Sequence, residues 1–417
     1  MNKQDFNDGL LGFLDASPTP FHATQNMCGM LRNAGFLELD EVEKWELEEG
    51  QKYFVTRNDS SVIAFTFPHA KEYVMVGTHT DSPNLKLKPN PIIEEHGVVR
   101  FGVENYGGML LSTWFDRDLS LAGRISYLDS ENMIKDTLVD VKKPIAIIPS
   151  LAIHLDDKAN KDKTINKQTD ISPISTCQED FDFNEFLKEQ LMACGVKDVK
   201  KLYANELSFY DTQKASFVGI KDEFITSARI DNLISCYVGL LSICSVDNTK
   251  AMMFIANDHE EVGSETTSGA GGSFLENTLK RVFSDYEEFV QVVRSSVLIS
   301  CDNAHAIHPN FPSKHDTNHM PKINKGVVIK TNANQRYATT SKTAARFKNV
   351  ADGVGESYQE FVTRSDMGCG STIGPITATR LGIDTLDVGV PTWAMHSIRE
   401  VCGGDDAHSL YKILVAF

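Results

Sequence analysis

The chain lacks the features of a polyanion binder, a membrane protein or a disulfide-built domain. Lysine and arginine number 41 against 57 aspartates and glutamates, for a formal net charge of −16. That field repels nucleic acid and anionic lipid and excludes both as main partners, while leaving metal cations as plausible ligands. If the substrate is itself acidic, a local cation must select it against the field. No apolar run reaches the ~18 residues that span a bilayer. The eight cysteines are scattered, with no CxxC pair, and read as small core residues of a reducing compartment. The first residues, Met1-Asn-Lys-Gln-Asp-Phe-Asn-Asp-Gly9, carry acids and resemble neither a secretory nor a transit peptide, so a soluble cytoplasmic protein is expected. Walker, GxGxxG and GxSxG motifs are missing, which leaves nucleotide binding and serine hydrolysis without support. There is no internal repeat and no low-complexity tract.

What remains is an ordinary globular composition, 41% apolar and 24% charged over 417 residues. This length predicts two domains, or one with a large insertion. Helical spacing over residues 5–15 puts Phe6, Leu10, Phe13 and Leu14 on one face. Ser17-Pro-Thr-Pro-Phe21 starts a second helix with Thr19 as N-cap and Pro20 at its first position, stopping near Gly35. Residues 52–57 and 61–67 flank Asn58-Asp-Ser60 as a hairpin. From about 87 to 225 short alternating runs, at 98–103, 123–128 and 145–149, predict a β-rich insertion with an exposed loop at 156–170 and a helix at 182–195. Strand-helix alternation then resumes. The domains are therefore set at 1–86 with 226–417, and 87–225. Alternation of this kind implies an α/β domain with a mixed, largely parallel sheet and flanking helices.

In such sheets ligand groups gather beyond the carboxyl ends of the strands. Tyr73-Val-Met-Val-Gly77 runs into His79 and Asp81, Ala251-Met-Met-Phe-Ile-Ala256 into Glu260 and Glu261, and Val297-Leu-Ile-Ser300 into Asp302. His396 follows the strand at 385–390, and Asp231 stands at the start of the apolar helix 233–245. Adjacent carboxylates at one strand end repel unless a cation offsets them. His79, Asp231, Glu261, Asp302 and His396 together supply two imidazoles and three carboxylates, a set that suits two ions such as Zn²⁺, Co²⁺ or Mn²⁺. Glu260 is then the spare base, and Asp81 is placed to accept the second ring N–H of His79. Each residue alone has a plainer reading: a solvated loop tip, an N-cap, a turn former, a loop histidine. His305, His308, His315 and His319 share one loop broken by Pro309 and Pro312 and read as loop residues, not a further metal site. His259, between Asp258 and Glu260, should point away from the metals.

Several longer stretches resemble the M18 metallo-aminopeptidases, the aspartyl aminopeptidase and aminopeptidase I group. They include Ser17-Pro-Thr-Pro-Phe-His22, Gly77-Thr-His-Thr-Asp-Ser-Pro83, Pro149-Ser-Leu-Ala-Ile-His154 and Ala228-Arg-Ile-Asp-Asn232. Asn257-Asp-His-Glu-Glu-Val-Gly-Ser264, Asn332-Ala-Asn-Gln-Arg-Tyr-Ala338, Gly370-Ser-Thr-Ile-Gly-Pro375 and Ala394-Met-His-Ser-Ile-Arg-Glu400 continue the series. The resemblance implies a zinc-exopeptidase-like fold with the insertion as a dimerisation domain, and a tetrahedral dodecamer built from dimers. It implies Asp231 as the metal bridge, His79 with Asp302 at one ion, and Glu261 with His396 at the other. Glu260 becomes the general base and Asp81 the orienting acid, while His154 reaches into a neighbouring subunit's site. Small peptides would be the substrates. For an acidic N-terminal residue, Lys330 is the candidate selector and Tyr337 a second contact. Ser17-Pro-Thr-Pro20 begins too early for the propeptide of the vacuolar branch, which favours the acidic preference over a neutral one. A non-catalytic assembly protein of the same fold predicts damaged ligands, and none is damaged here.

Overall fold

The computed structural model describes residues 1–68 and 70–417, which divide into two units. The first comprises Met1–Asp81, Ala215–Met395 and Glu400–Phe417, and the second Ser82–Lys214 with His396–Arg399. The first division thus falls five residues ahead of the expected 87, since an extended strand already begins at Asn84, and the second falls eleven ahead of the expected 225.

Among its described residues, the first unit is built on a nine-stranded sheet. Its centre is four parallel strands in the order Met252–Asn257, Val74–His79, Val297–Cys301 and Asp384–Gly389. These are continuous apolar runs, as strands covered on both faces must be, and all but one of their residues are buried. The hairpin Gln51–Arg57 and Ser61–Phe67 adds antiparallel to the Met252–Asn257 side, while Val327–Lys330 adds antiparallel to Asp384–Gly389. Register decides what the sheet can present. Asn257 pairs with His79 and Ser300 with Gly77, so three neighbouring strands end together, and the polar residues that follow them share one edge.

The helix Ile230–Ser245 covers this sheet and is buried on nearly every side, which is why its sequence is apolar all round rather than striped. It packs with Phe6, Leu10, Phe13, Met27 and Phe254 in one continuous core, and truncating a buried ring such as Phe254 to alanine costs about 3–5 kcal/mol. The two N-terminal helices are Lys3–Ala16 and Pro20–Asn33, the second capped by Thr19, with Gly35 at φ +83° closing its end. A smaller five-stranded sheet in the same unit includes Phe224–Ser227, Glu400–Gly403 and Pro391–Trp393.

The second unit holds a six-stranded antiparallel sheet around Leu119–Leu128 and Lys201–Asp211, with the helix Phe183–Ala193. Its core gathers Leu85, Phe101, Leu121, Leu187 and Phe209. Residues 145–149 make only isolated bridges, at Ala146 and Ile147, instead of the expected strand, because the segment pairs first with Leu119 and then with Ile174 and follows neither strand for more than one residue. Among the described residues no helix is long and apolar enough to cross a membrane, and the cysteines are free thiols.

Candidate metal centre

The site grows from the ends of those parallel strands. His79 closes Val74–His79 and is 1% exposed. Its Nδ1 lies 3.0 Å from the carbonyl oxygen of Asp81 and 3.3 Å from Asp81 Oδ1. Both partners only accept, so Nδ1 carries a proton and Nε2 is the ring nitrogen turned to the cluster. Nε2 faces Asp231 Oδ1 at 3.5 Å and Asp302 Oδ1 at 3.7 Å. Burial disfavours charge on this imidazole, but Asp231, Asp302 and Asp81 outweigh it and hold the pKa well above the usual value. The pocket is therefore one that attracts positive charge.

Asp81 also fixes the double glutamate. Its Oδ1 accepts the backbone N–H of Glu260 and its Oδ2 that of Glu261, each at 3.1 Å. The acidic tip is consequently not a solvated loop but a turn, Glu260–Val262, closed by Gly263 at φ +100°, a conformation that glycine adopts without strain. Behind it the glycine-rich turn wraps the carbonyl of Ser264, which accepts from Gly271 N, and a side chain at Gly269 would come within 2.3 Å of that oxygen. Burial first, then Asp302, Glu261 and Asp231, push Glu260 up to about 8, with His79 opposing. The crowding of carboxylates that raises it is the same feature that favours a cation here. His259 turns to Thr266, its Nδ1 3.0 Å from Oγ1.

Asp231 does not act as a simple N-cap. It lies inside Ile230–Ser245 with φ −82° and ψ 107°, in a cis peptide bond to Asn232. The Asn232 side chain donates to the carbonyl of Cys301 at 2.9 Å, tying this helix start to the strand that delivers Asp302. The donor atoms of His79, Asp231 and Asp302 lie within 4.8 Å of one another, and so do those of His79, Glu260 and Glu261. One imidazole with four carboxylates in two overlapping groups is a donor set that fits divalent cations of the zinc type.

Lys330 ends Val327–Lys330 with its ammonium 3.3 Å from Asp302 Oδ2, 3.2 Å from the carbonyl of Asn303 and 5.1 Å from the ring centroid of Tyr337. It is 2% exposed, so its charge is engaged with a neighbour and not solvated. Tyr337 is buried and lines a cavity of about 250 Å³ with His305, His315, Phe361, Trp393 and Met395. His305 and His315 meet the ring of Phe361 edge-on, at 5.9 and 6.1 Å. Three of the four loop histidines, His305, His308 and His315, thus line this cavity. Ala338 N donates to buried Asp387 at 2.6 Å and so fixes the segment carrying Tyr337.

Two predicted residues belong to the second unit. His396, at φ +66°, has Nδ1 2.8 Å from the carbonyl of Gly108, which again assigns the proton to Nδ1 and the lone pair to Nε2. His154 is exposed and flanked by Leu151, Ile153 and Leu155, which are 52%, 57% and 74% exposed. One residue of the site escaped the sequence reading. Glu400 is 2% exposed and accepts the backbone N–H of Asp231 at 2.9 Å. Its only signal in the sequence was its place in the stretch after His396.

The sequence model of the family described as aminopeptidase I zinc metalloprotease (M18) matches residues 13–417. A Pseudomonas fluorescens (strain Pf0-1) protein named probable M18 family aminopeptidase 2 is 49% identical over 422 residues, covering 100% of this chain and 98% of its own length. A chain in a cryo-EM structure of the Ape4 and Nbr1 complex is similar with a TM-score of 0.96 at 36% identity, covering 100% of this chain and 85% of that one. The S. cerevisiae mApe1 dodecamer gives a TM-score of 0.87 at 28% identity, with coverage of 100% and 97%.

Proposed function

This chain belongs to the M18 family of metallo-aminopeptidases, and from that premise we propose that it hydrolyses the N-terminal residue from peptides, acidic ones preferred, at a centre of two divalent ions. The observation that carries the reading is the meeting of His79, Asp231, Glu260, Glu261 and Asp302 at one sheet edge, their donor atoms in two groups each within 4.8 Å. Asp231 would bridge, with His79 and Asp302 holding one ion and Glu261 and His396 the other. Zinc is the ion the family description names, and cobalt or manganese suit the same donors. Bound there, the ions supply Lewis acidity, polarising the scissile carbonyl and acidifying water.

The remaining steps belong to side chains. Glu260 takes the proton of the attacking water and returns it to the leaving amine. Asp81 holds both Glu260 and Glu261 by their backbones and His79 by its ring, so base and ligands keep one geometry. Carboxylates of the centre draw the substrate's ammonium group, which makes the enzyme an exopeptidase. The acidic side chain of the N-terminal residue is assigned to the field of Lys330, whose ammonium lies against the cavity-lining Tyr337. The exposed apolar residues around His154 support a role in which this segment is covered by another copy, with His154 stabilising the oxyanion there. The unit containing 87–214 serves as the dimerisation domain, and assembly is to a dodecamer, as in the mApe1 structure.

A neutral preference is the second reading, favoured by the apolar cavity wall of Phe361, Trp393 and Met395 and by the pairing of Lys330 with Asp302. Asp-, Glu- and Leu-linked chromogenic amides decide between them. Chelation is expected to abolish hydrolysis and added Zn²⁺, Mn²⁺ or Co²⁺ to restore it, with about two ions per chain by elemental analysis. Undiminished turnover by metal-free protein sinks the reading, and one ion per chain at full activity sinks its two-metal form.

A further inference from the structure

Glu400 stands behind the centre, out of the cluster of donors, yet touches the residue assigned to bridge it. It opens the strand Glu400–Gly403, which pairs antiparallel with Phe224–Ser227 so that Glu400 lies opposite Ser227. Four residues after Ser227 the chain reaches Asp231, having turned through Arg229 at φ +60°. Arg229 is tied to the carbonyls of Ser17 and Leu14 by its Nε and Nη2, at 3.0 and 3.1 Å. The Asp231 backbone is therefore fixed before it by Arg229, after it by the Asn232 bond to Cys301, and at its own N–H by Glu400 Oε2 at 2.9 Å.

We propose that Glu400 is a positioning residue that holds Asp231 for metal binding through that backbone hydrogen bond. A bridging carboxylate must aim two oxygens at two ions, and a turn at the backbone moves both. Asp231 lies at the only point of its helix where φ and ψ depart from helical values, together with Asn232, so the helix ladder does not fix its direction. A buried side-chain oxygen held against its N–H does, and what matters is that this acceptor sits at the right distance. Such outer partners of metal ligands are worth about 10–100-fold in affinity. The inference rests on Asp231 being a metal ligand.

The test measures Zn²⁺ affinity of the full-length protein by competition with a chromophoric chelator, in the absence of substrate. Glu400→Gln keeps an acceptor oxygen within reach and loses the charge. Glu400→Asp keeps the charge but withdraws the oxygen by one methylene. Glu400→Gln is expected to bind within about threefold of the wild type, and Glu400→Asp at least about tenfold more weakly. Wild-type affinity in Glu400→Asp, or an equal loss in Glu400→Gln, overturns the proposal. Asp231→Asn serves as the control: it should weaken binding by itself, and adding Glu400→Asp to it should cost little more, since the second change acts through the first. Unchanged affinity in Asp231→Asn faults the metal assignment instead of the role of Glu400, and full additivity shows that Glu400 acts by another route.

Discussion

The two oxygens of the Asp81 carboxylate divide their work, Oδ1 accepting from the backbone of Glu260 and Oδ2 from that of Glu261, each at 3.1 Å. One side chain from the end of Val74–His79 thereby sets the position of two residues from the end of Met252–Asn257. The same carboxylate lies 3.3 Å from His79 Nδ1. Neighbouring strand ends are thus locked by hydrogen bonds to a charged group, which are stronger than neutral ones.

Asp81→Asn should disturb this more than its small change of shape suggests. The amide offers one acceptor oxygen and turns N–H groups toward a backbone donor or toward the ring. Zinc affinity is expected to fall about 10–100-fold, read by chelator competition; affinity equal to the wild type would show that Asp81 has no orienting role.

Glu260→Gln removes the proton acceptor and leaves the assigned ligands in place. Metal content should stay at the wild-type level while kcat drops about 10²–10⁴-fold. Elemental analysis beside steady-state kinetics checks both, and near-normal turnover would place the base elsewhere.

Lys330→Met removes the buried ammonium beside Asp302 and Tyr337. The kcat/KM ratio of Asp- over Leu-linked amides should fall at least about tenfold, or ~1.4 kcal/mol of differential transition-state binding. An unchanged ratio moves the selector to another residue.

Stability should depend on pH through the buried carboxyl of Asp406. Burial pushes its carboxyl up to about 7, against the backbone N–H groups of Asn324 and Gly326 that it accepts at 2.6 and 2.8 Å. Between the ordinary carboxyl range near 4 and about 7, the folded chain keeps a proton that the unfolded chain has released. The contribution is fully present at low pH and is lost as pH rises through about 7. Asp406→Asn cannot ionise, so its thermal midpoint should vary less than that of the wild type between pH 5 and 8. Parallel curves for the two proteins would refute this.

Much of the architecture was legible because it follows from periodicity. The apolar runs before His79, Glu260 and Asp302 are strands, the all-apolar stretch after Asp231 is a buried helix, and the hairpin turns at Asn58-Asp-Ser60 as expected. Less legible was anything that depended on a partner distant in sequence. Residues 145–149 alternate like a strand but bridge to Leu119 and then to Ile174, a change of partner that alternation cannot reveal. Lys330 entered as a candidate selector, and nothing in the sequence showed that its ammonium lies 3.3 Å from Asp302 and 3.2 Å from the carbonyl of Asn303.

By itself, then, the sequence determined the fold class, the family, and the presence of a histidine and acids after neighbouring strands, because polarity switches and residue types are local properties. Only the tertiary structure decided how they meet. Parallel register brings His79 level with Asn257, the Asp81 carboxylate turns an acidic tip into two separately oriented glutamates, and Glu400 arrives at Asp231 from 169 residues away. Such contacts are set by how strands and helices pack, and no spacing along the chain encodes them.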